Sequence, residues 1–195
     1  MYDAYMRATA TDIDQRIGAR IKELRGEKGL TLDGLAERAD VSRAMLSRIE
    51  RGESSPTAQL MNKVCGGLGI TLSTLFAEDT APQSPLARRE AQTTWRDPAT
   101  RYLRRDVSPA GSSVDIVEVE FPPRKSVAFD NMRLPNVEQQ VWVLEGVLEM
   151  EVGSETFRLN EGDCLRMHLG HPLVFRNPTR RPTRYAVILD RGAGK

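Results

Sequence analysis

Cysteine, histidine and aromatic residues are scarce in this 195-residue chain: two, two and 6% respectively. The cysteines, Cys65 and Cys164, lie far apart and form no C-x-x-C pair. That argues against a disulfide scaffold and a thiolate zinc site, and the expected compartment is the reducing cytoplasm. An excess of charge of one sign is also missing: 28 Lys and Arg face 27 Asp and Glu, for a net charge of +1. A histone-like basic protein and an acidic disordered tail are both excluded. Apolar runs are short, such as Tyr185-Ala186-Val187-Ile188-Leu189, whereas a membrane-spanning helix needs about 20 apolar residues. Residues 1–10, MYDAYMRATA, have neither the positive start nor the apolar centre of a secretion signal. With 39% hydrophobic and 28% charged residues, what remains is a globular chain long enough for one large domain or two small ones.

The apolar rhythm changes along the chain. From about residue 11 to residue 76 it is helical: Ile13, Ile17, Ile21 and Leu24 recur at spacings of four, four and three. Thr11-x-x-Asp14 reads as a helix start, and Gly26 and Gly29 as stops. Thr31 is the expected cap of a second helix carrying Leu35, Ala36 and Ala39. Ser42 caps a third, with Leu46 and Ile49 turned inward. Ser55-Pro56 is expected to open a fourth, because proline suits the first helical position, with Leu60, Val64 and Leu68 as its stripe. Thr71 caps a last turn with Leu72, Leu75 and Phe76. Residues 11–79 therefore read as an all-α domain of five short helices, and the Pro- and Ser-containing stretch 80–94 as a linker. From Trp95 the period becomes two. Runs at 114–121, 141–144, 148–152, 157–159, 164–167, 173–175 and 185–189 are separated by Gly, Asn and Pro signals. That pattern predicts a β-sandwich or barrel over 95–191.

The segment at 31–52, TLDGLAERADVSRAMLSRIERG, is the most specific signal. Two short helices meet at the tight connection Ala39-Asp40-Val41-Ser42. Val41, Leu46 and Ile49 anchor the second helix, whose other face carries Arg43, Ala44, Ser47 and Arg48, with Arg51 one turn on. A helix fits the DNA major groove, and Arg can bond a guanine edge through two hydrogen bonds. The stretch resembles the helix-turn-helix of the XRE (phage-repressor-like) family through Leu24-Arg25, Leu35-Ala36, Val41-Ser42, Leu46-Ser47, Ile49-Glu50-Arg51-Gly52, Pro56 and Leu68-Gly69-Ile70. The resemblance implies that Arg43, Ala44, Ser47 and Arg48 face base edges, and that Ser42, Arg51, Ser54 and Ser55 face phosphates. Leu32 departs from the family, many of whose members place a phosphate-contacting glutamine there. Positive charge is local rather than domain-wide: residues 42–52 hold Arg43, Arg48 and Arg51 against Glu50 alone, and such footprints need a basic face rather than a basic domain. One unit reads few base pairs, so a homodimer on a pseudo-palindromic double-stranded operator is expected.

The second half resembles the cupin family, a double-stranded β-helix or jelly-roll barrel. The matching residues are Val141-Trp142-Val143-Leu144-Glu145-Gly146, Leu159-Asn160-Glu161-Gly162-Asp163, Pro172 and Phe175-Arg176-Asn177-Pro178. Bacterial regulators often join the two families in this order. The resemblance implies a metal site in many members, but the expected ligand positions hold Met132-Arg133-Leu134-Pro135, Gln139 and Leu173, which do not replace imidazole and carboxylate. No metal, no cofactor and no enzymatic activity are therefore expected. His168 and His171, lacking a nearby carboxylate, read as turn residues at the rim rather than as ligands, and Cys164 reads as a small core residue. If Gln139 faces inward, alternation turns Val141 and Val143 inward too, and Leu173 and Phe175 likewise. That gives an apolar cup with one amide, suited to a small organic effector. Arg133, Arg166, His168 and Tyr185 are candidate rim contacts. Trp142 has the opposite parity and reads as packing between sheets or subunits. The arginine-rich stretch 88–106 reads as a solvated or inter-subunit face. The expectation is a cytoplasmic, dimeric, ligand-sensing transcription regulator, more readily a repressor than an activator. A metal-dependent cupin enzyme with a regulatory head and an antitoxin-type regulator are the rivals.

Overall fold

A computed structural model describes residues 2–77, 84–134 and 137–190, with residues 2–11 described as backbone only. It divides into two compact units, Met1–Phe76 and Ala77–Lys195.

Among the described residues the first unit has five helices: α1 (Tyr2–Glu27), α2 (Leu32–Ala39), α3 (Arg43–Glu50), α4 (Ala58–Leu68) and α5 (Leu72–Phe76). The start expected at Thr11 is not one, since α1 already runs from Tyr2. Gly26 lies inside α1, and the left-handed turn falls at Gly29, whose φ is 64°. Thr31 and Ser42 cap α2 and α3 as expected, each accepting the N–H three residues on. The fourth start moves by two residues: Thr57 rather than Ser55 caps α4, so Pro56 precedes the helix. The core gathers Ile17, Ile21, Leu35, Leu46, Ile49, Met61 and Val64, none more than 3% exposed, and each such side chain contributes about 1.5–3 kcal/mol. Gly18 lets α1 lie against the end of α3, because a Cβ there would sit 2.2 Å from the Ile49 carbonyl oxygen.

Among its described residues the second unit has one 3₁₀ turn, at Arg89–Ala91, followed by ten strands. They are β1 (Thr94–Arg96), β2 (Leu103–Asp106), β3 (Val114–Phe121), β4 (Ser126–Asp130), β5 (Glu138–Glu145), β6 (Val147–Val152), β7 (Glu155–Asn160), β8 (Cys164–His168), β9 (Pro172–Arg176) and β10 (Thr183–Asp190). Two antiparallel sheets, ordered β1-β2-β3-β10-β5-β8 and β4-β9-β6-β7, form the barrel. The short strands β1, β2 and β4 were not expected. Part of the expected linker, 80–83, lies outside the described residues, and its last part already contains the 3₁₀ turn and the start of β1. Alternation puts Val117, Phe121, Val141, Val143, Leu148, Met150, Leu173 and Phe175 inside, all within 3% of full burial. Six aromatic rings make a continuous chain through the interior. Trp95, Tyr102, Phe121 and Tyr185 meet edge to face, Tyr185 stacks on Phe175 at 5.8 Å and 15°, and Phe129 meets Phe175. Among the described residues no helix is long and apolar enough to cross a membrane.

Candidate DNA-reading helix and barrel interior

The geometry of α3 starts with its anchor. Leu46 and Ile49 are buried to 0% and 1% exposure, which fixes the rotation of the helix. The connection from α2 bends at Asp40 in a left-handed conformation (φ 52°, ψ 50°), where its N–H reaches the Ala36 and Glu37 carbonyls. Lys63 of α4 holds the Asp40 carboxylate at 2.7 Å and keeps its pKa below the usual range. The C-terminal end of α3 is tied to α1. Glu50 accepts two hydrogen bonds from Arg25, at 2.6 and 2.9 Å, and Arg25 donates a third to the Leu30 carbonyl. The Glu50 side chain is only 7% exposed, so this pair fixes the helix axis from within. Sequence reasoning placed Arg25 and Glu50 in a motif without seeing that they are partners 25 residues apart.

With the anchor set, Arg43, Ala44, Arg48 and Arg51 are exposed, with Ser47 half-buried beside them. They form one face opposite Leu46 and Ile49, as 3.6-residue periodicity requires. Two of these arginines have acidic neighbours that sequence reasoning missed. Arg43 pairs with Asp33 of α2 at 2.9 Å, both side chains more than 60% exposed. Arg51 bonds both oxygens of Glu53 and donates to Ser47 Oγ, which raises its pKa and lowers that of Glu53. Solvated pairs of this kind contribute little and exchange readily for a phosphate or a base edge. Ser42 Oγ accepts from the Met45 N–H, which leaves its proton available to donate. Ser54 donates to the Met45 sulfur at 3.9 Å, a weak contact. Ser55 is exposed, and its hydroxyl donates to Asp14 Oδ2. Burial pushes the Asp14 carboxyl up, partly offset by that bond.

In the barrel, Gln139, Val141, Leu173 and Phe175 face the interior, with Gln139 at 6% exposure and the others at 3% or less. The Gln139 side-chain nitrogen is buried with no hydrogen-bond partner, a costly state for an amide. Register places Gln139 in a row with Leu189 and Met167, beside the row Val117–Val187–Val141–Leu165. In that second row Val187 and Leu165 remain partly open to solvent. The expected rim does not form. Arg166 and His168 share parity with Glu138 and Gln140 and lie exposed on the outer face, where Arg166 bonds Glu138 at 2.6 Å and lowers its pKa. Tyr185 is a core residue at 3% exposure, and burial holds its hydroxyl well above the usual value. Arg133 is exposed in the turn after β4.

Two further expectations are corrected. Cys164 is exposed on the outer face rather than buried. Arg104, expected in a solvated stretch, is buried inside the barrel at 7% exposure and bonds Asp106 at 2.8 Å. Its signal was present in Tyr102-Leu103-Arg104-Arg105-Asp106, where Arg104 shares parity with the aromatic Tyr102. A metal does not fit the ligand positions implied by the family resemblance. Leu173 is a packed hydrocarbon and Gln139 a neutral amide, and no group of three His, Cys, Asp or Glu among the described residues is arranged to hold an ion.

Comparison with known proteins falls in line with this geometry. The family model described as "Helix-turn-helix" matches residues 21–75. The chain is 28% identical over 175 residues to the HTH-type transcriptional regulator SutR of Escherichia coli, a match covering 83% of this chain and 86% of SutR. It is 40% identical over 68 residues to the control protein C.MunI of a Mycoplasma species, covering 34% of this chain and 92% of that protein. Among solved structures, an HTH_3 family transcriptional regulator from Vibrio cholerae superimposes with a TM-score of 0.75 at 27% identity, covering 93% of this chain and 98% of that one.

Proposed function

The chain belongs to the XRE-type helix-turn-helix transcriptional regulators and carries a two-sheet β-barrel as its second domain; from that premise we propose that it is a cytoplasmic, dimeric repressor whose barrel, read as a cupin, senses a small organic effector. The observation that carries the reading is the exposed Arg43–Arg48–Arg51 face of α3, set against an anchor of Leu46, Ile49 and the Arg25–Glu50 pair. Arg43, Ala44, Ser47 and Arg48 are the base-reading set. Ser42, Arg51, Ser54 and Ser55 are the phosphate set. Two copies read half-sites about 34 Å apart, or a multiple of that.

The unpartnered Gln139 amide inside an otherwise apolar interior supports the sensing role. It calls for a ligand that offers an acceptor oxygen on a compact, largely apolar body. Val141, Leu173 and Phe175 supply its apolar walls. Such a ligand changes DNA affinity only through a difference in its affinity for two arrangements of the dimer.

The test is DNase footprinting of the full chain upstream of its own gene and its neighbours, followed by titration at 50 and 200 mM salt. A protected site of two-fold symmetry is expected. Neutralising two phosphates, one per copy through Arg51, weakens binding about tenfold over that salt range. Protection without symmetry, or affinity indifferent to salt, overturns the proposal. A melting screen of small carbonyl-bearing acids and amides tests the sensor. A binder raises the barrel transition of the wild type and fails to raise that of Q139L, whereas an equal shift in both removes Gln139 from the site.

A further inference from the structure

The outer face of the six-stranded sheet carries an apolar centre that one copy leaves in water. Trp142 is 46% exposed, Ile116 39% and Val114 36%. Register makes them neighbours across β3, β10, β5 and β8. Ile116 lies opposite Ile188 and then Gln140, while Ala186 lies opposite Trp142 and then Cys164. Cys164, the exposed one of the two thiols, is part of the same surface.

Charges on both flanks of this centre form pairs within the chain. On one flank Glu118 is held by Arg89 at 3.2 Å and Arg184 at 3.1 Å, with Arg105 at 3.8 Å. Burial pushes the Glu118 carboxyl up, but those arginines outweigh it and keep it below the usual range. That flank opens into a polar cleft of about 660 Å³. On the other flank Arg166 is held by Glu138. A face with an apolar middle and flanking charges paired within the chain meets its own copy with less like-charge repulsion, which favours an isologous two-fold contact. Three strands of eight residues and one of five, about 4.8 Å apart, present roughly 450 Å² in plan. That is the scale of the approximately 800 Å² of accessible surface each partner covers in a stable complex.

We infer that this face, centred on Trp142 and Ile116, is the surface through which two copies of the chain pair. The inference rests on the dimer reading above and names the surface that reading leaves open. Trp142 is the anchor, since buried aromatic side chains dominate the energetics of such contacts.

The test uses the full chain in sedimentation velocity, beside thiol titration with an aromatic disulfide reagent under native conditions. The wild type is expected at twice the chain mass. Cys164 should react slowly at high protein concentration and faster on dilution, while buried Cys65 stays silent. W142E should weaken pairing by about 100-fold and expose Cys164 at all concentrations, with the barrel still folded and melting cooperatively because Trp142 faces solvent in one copy. W142F should remain a dimer. If W142E fails to fold, I116E and the dilution dependence of Cys164 in the wild type serve the same purpose. A dimeric wild type with dimeric W142E and I116E, or with Cys164 reactivity independent of dilution, overturns the surface while leaving the dimer intact. A wild type that is monomeric at high concentration overturns the dimer and the surface together.

Discussion

Replacing Arg25 with methionine removes both hydrogen bonds to Glu50 and the one to the Leu30 carbonyl. It leaves the Glu50 carboxylate, 7% exposed, without its cation. Breaking a buried pair from one side costs about 3–5 kcal/mol, and the 17% exposure of Arg25 places this one near the lower bound, at about 3 kcal/mol. Each kcal/mol moves the midpoint of a domain this small by about 4–8 °C, so the helical unit should melt on the order of 15 °C lower. E50M strands the guanidinium instead, but that group keeps the Leu30 carbonyl, and the expected cost is about 2 kcal/mol. The double variant R25M/E50M joins two flexible apolar side chains in the same space. Its cost should be about 1 kcal/mol, because a buried pair replaced whole by hydrocarbon is close to neutral. Differential scanning calorimetry of the three variants closes the cycle, with the barrel transition as internal control. A coupling of at least about 2 kcal/mol is expected. Single costs that add within about 0.5 kcal/mol would refute the claim that this pair fixes α3 on α1.

Other outcomes follow from the same geometry. G18A drives a methyl group against the Ile49 carbonyl oxygen, 2.2 Å away, and should destabilise the helical unit by at least about 2 kcal/mol, read as an earlier first transition in thermal melts. D33N frees Arg43 from its exposed carboxylate partner and removes a negative charge beside the reading face. It should tighten operator binding about two- to fivefold, and looser binding in titration would place Arg43 outside the DNA contact. Burial raises the hydroxyl pKa of both Tyr102 and Tyr185, so the stability they contribute is present below about pH 10 and lost as pH rises above it. The unfolding free energy of the barrel from urea titrations should fall by up to about 2.7 kcal/mol per pH unit beyond pH 10, and Y185F should halve that slope.

Much of the helical unit was legible because its signals are local. Thr31 and Ser42 announce their caps within three residues, and Leu46 and Ile49 announce an inward face within one turn. The start of α1 was misread because Thr11-x-x-Asp14 satisfies the capping pattern, yet no breaker precedes it and the helix propagates back to Tyr2. Pro56 was misplaced because proline suits the position before a cap as well as the first helical turn. Long strands of the barrel showed their alternation. The strands β1, β2 and β4 were too short, and β2 carries Arg104 inward and so breaks the polar-out rule on which the reading relied. The cup residues Gln139, Val141, Leu173 and Phe175 follow from parity alone. The rim did not, since a rim depends on where loops close, and Arg166 and His168 follow the pleat outward instead. Partnerships across 25 or more residues, such as Arg25 with Glu50, Asp14 with Ser55 and Glu118 with Arg89 and Arg184, have no local signature.

The most direct measurement is selection from a randomised duplex library by the wild type and by R43A, R48A and R51A. The account predicts that R43A and R48A each lose preference at distinct positions of both half-sites. R51A should keep the wild-type preference while binding all sequences more weakly. Identical selected sequences and affinities for all four proteins would contradict the assignment of α3 as the reading helix.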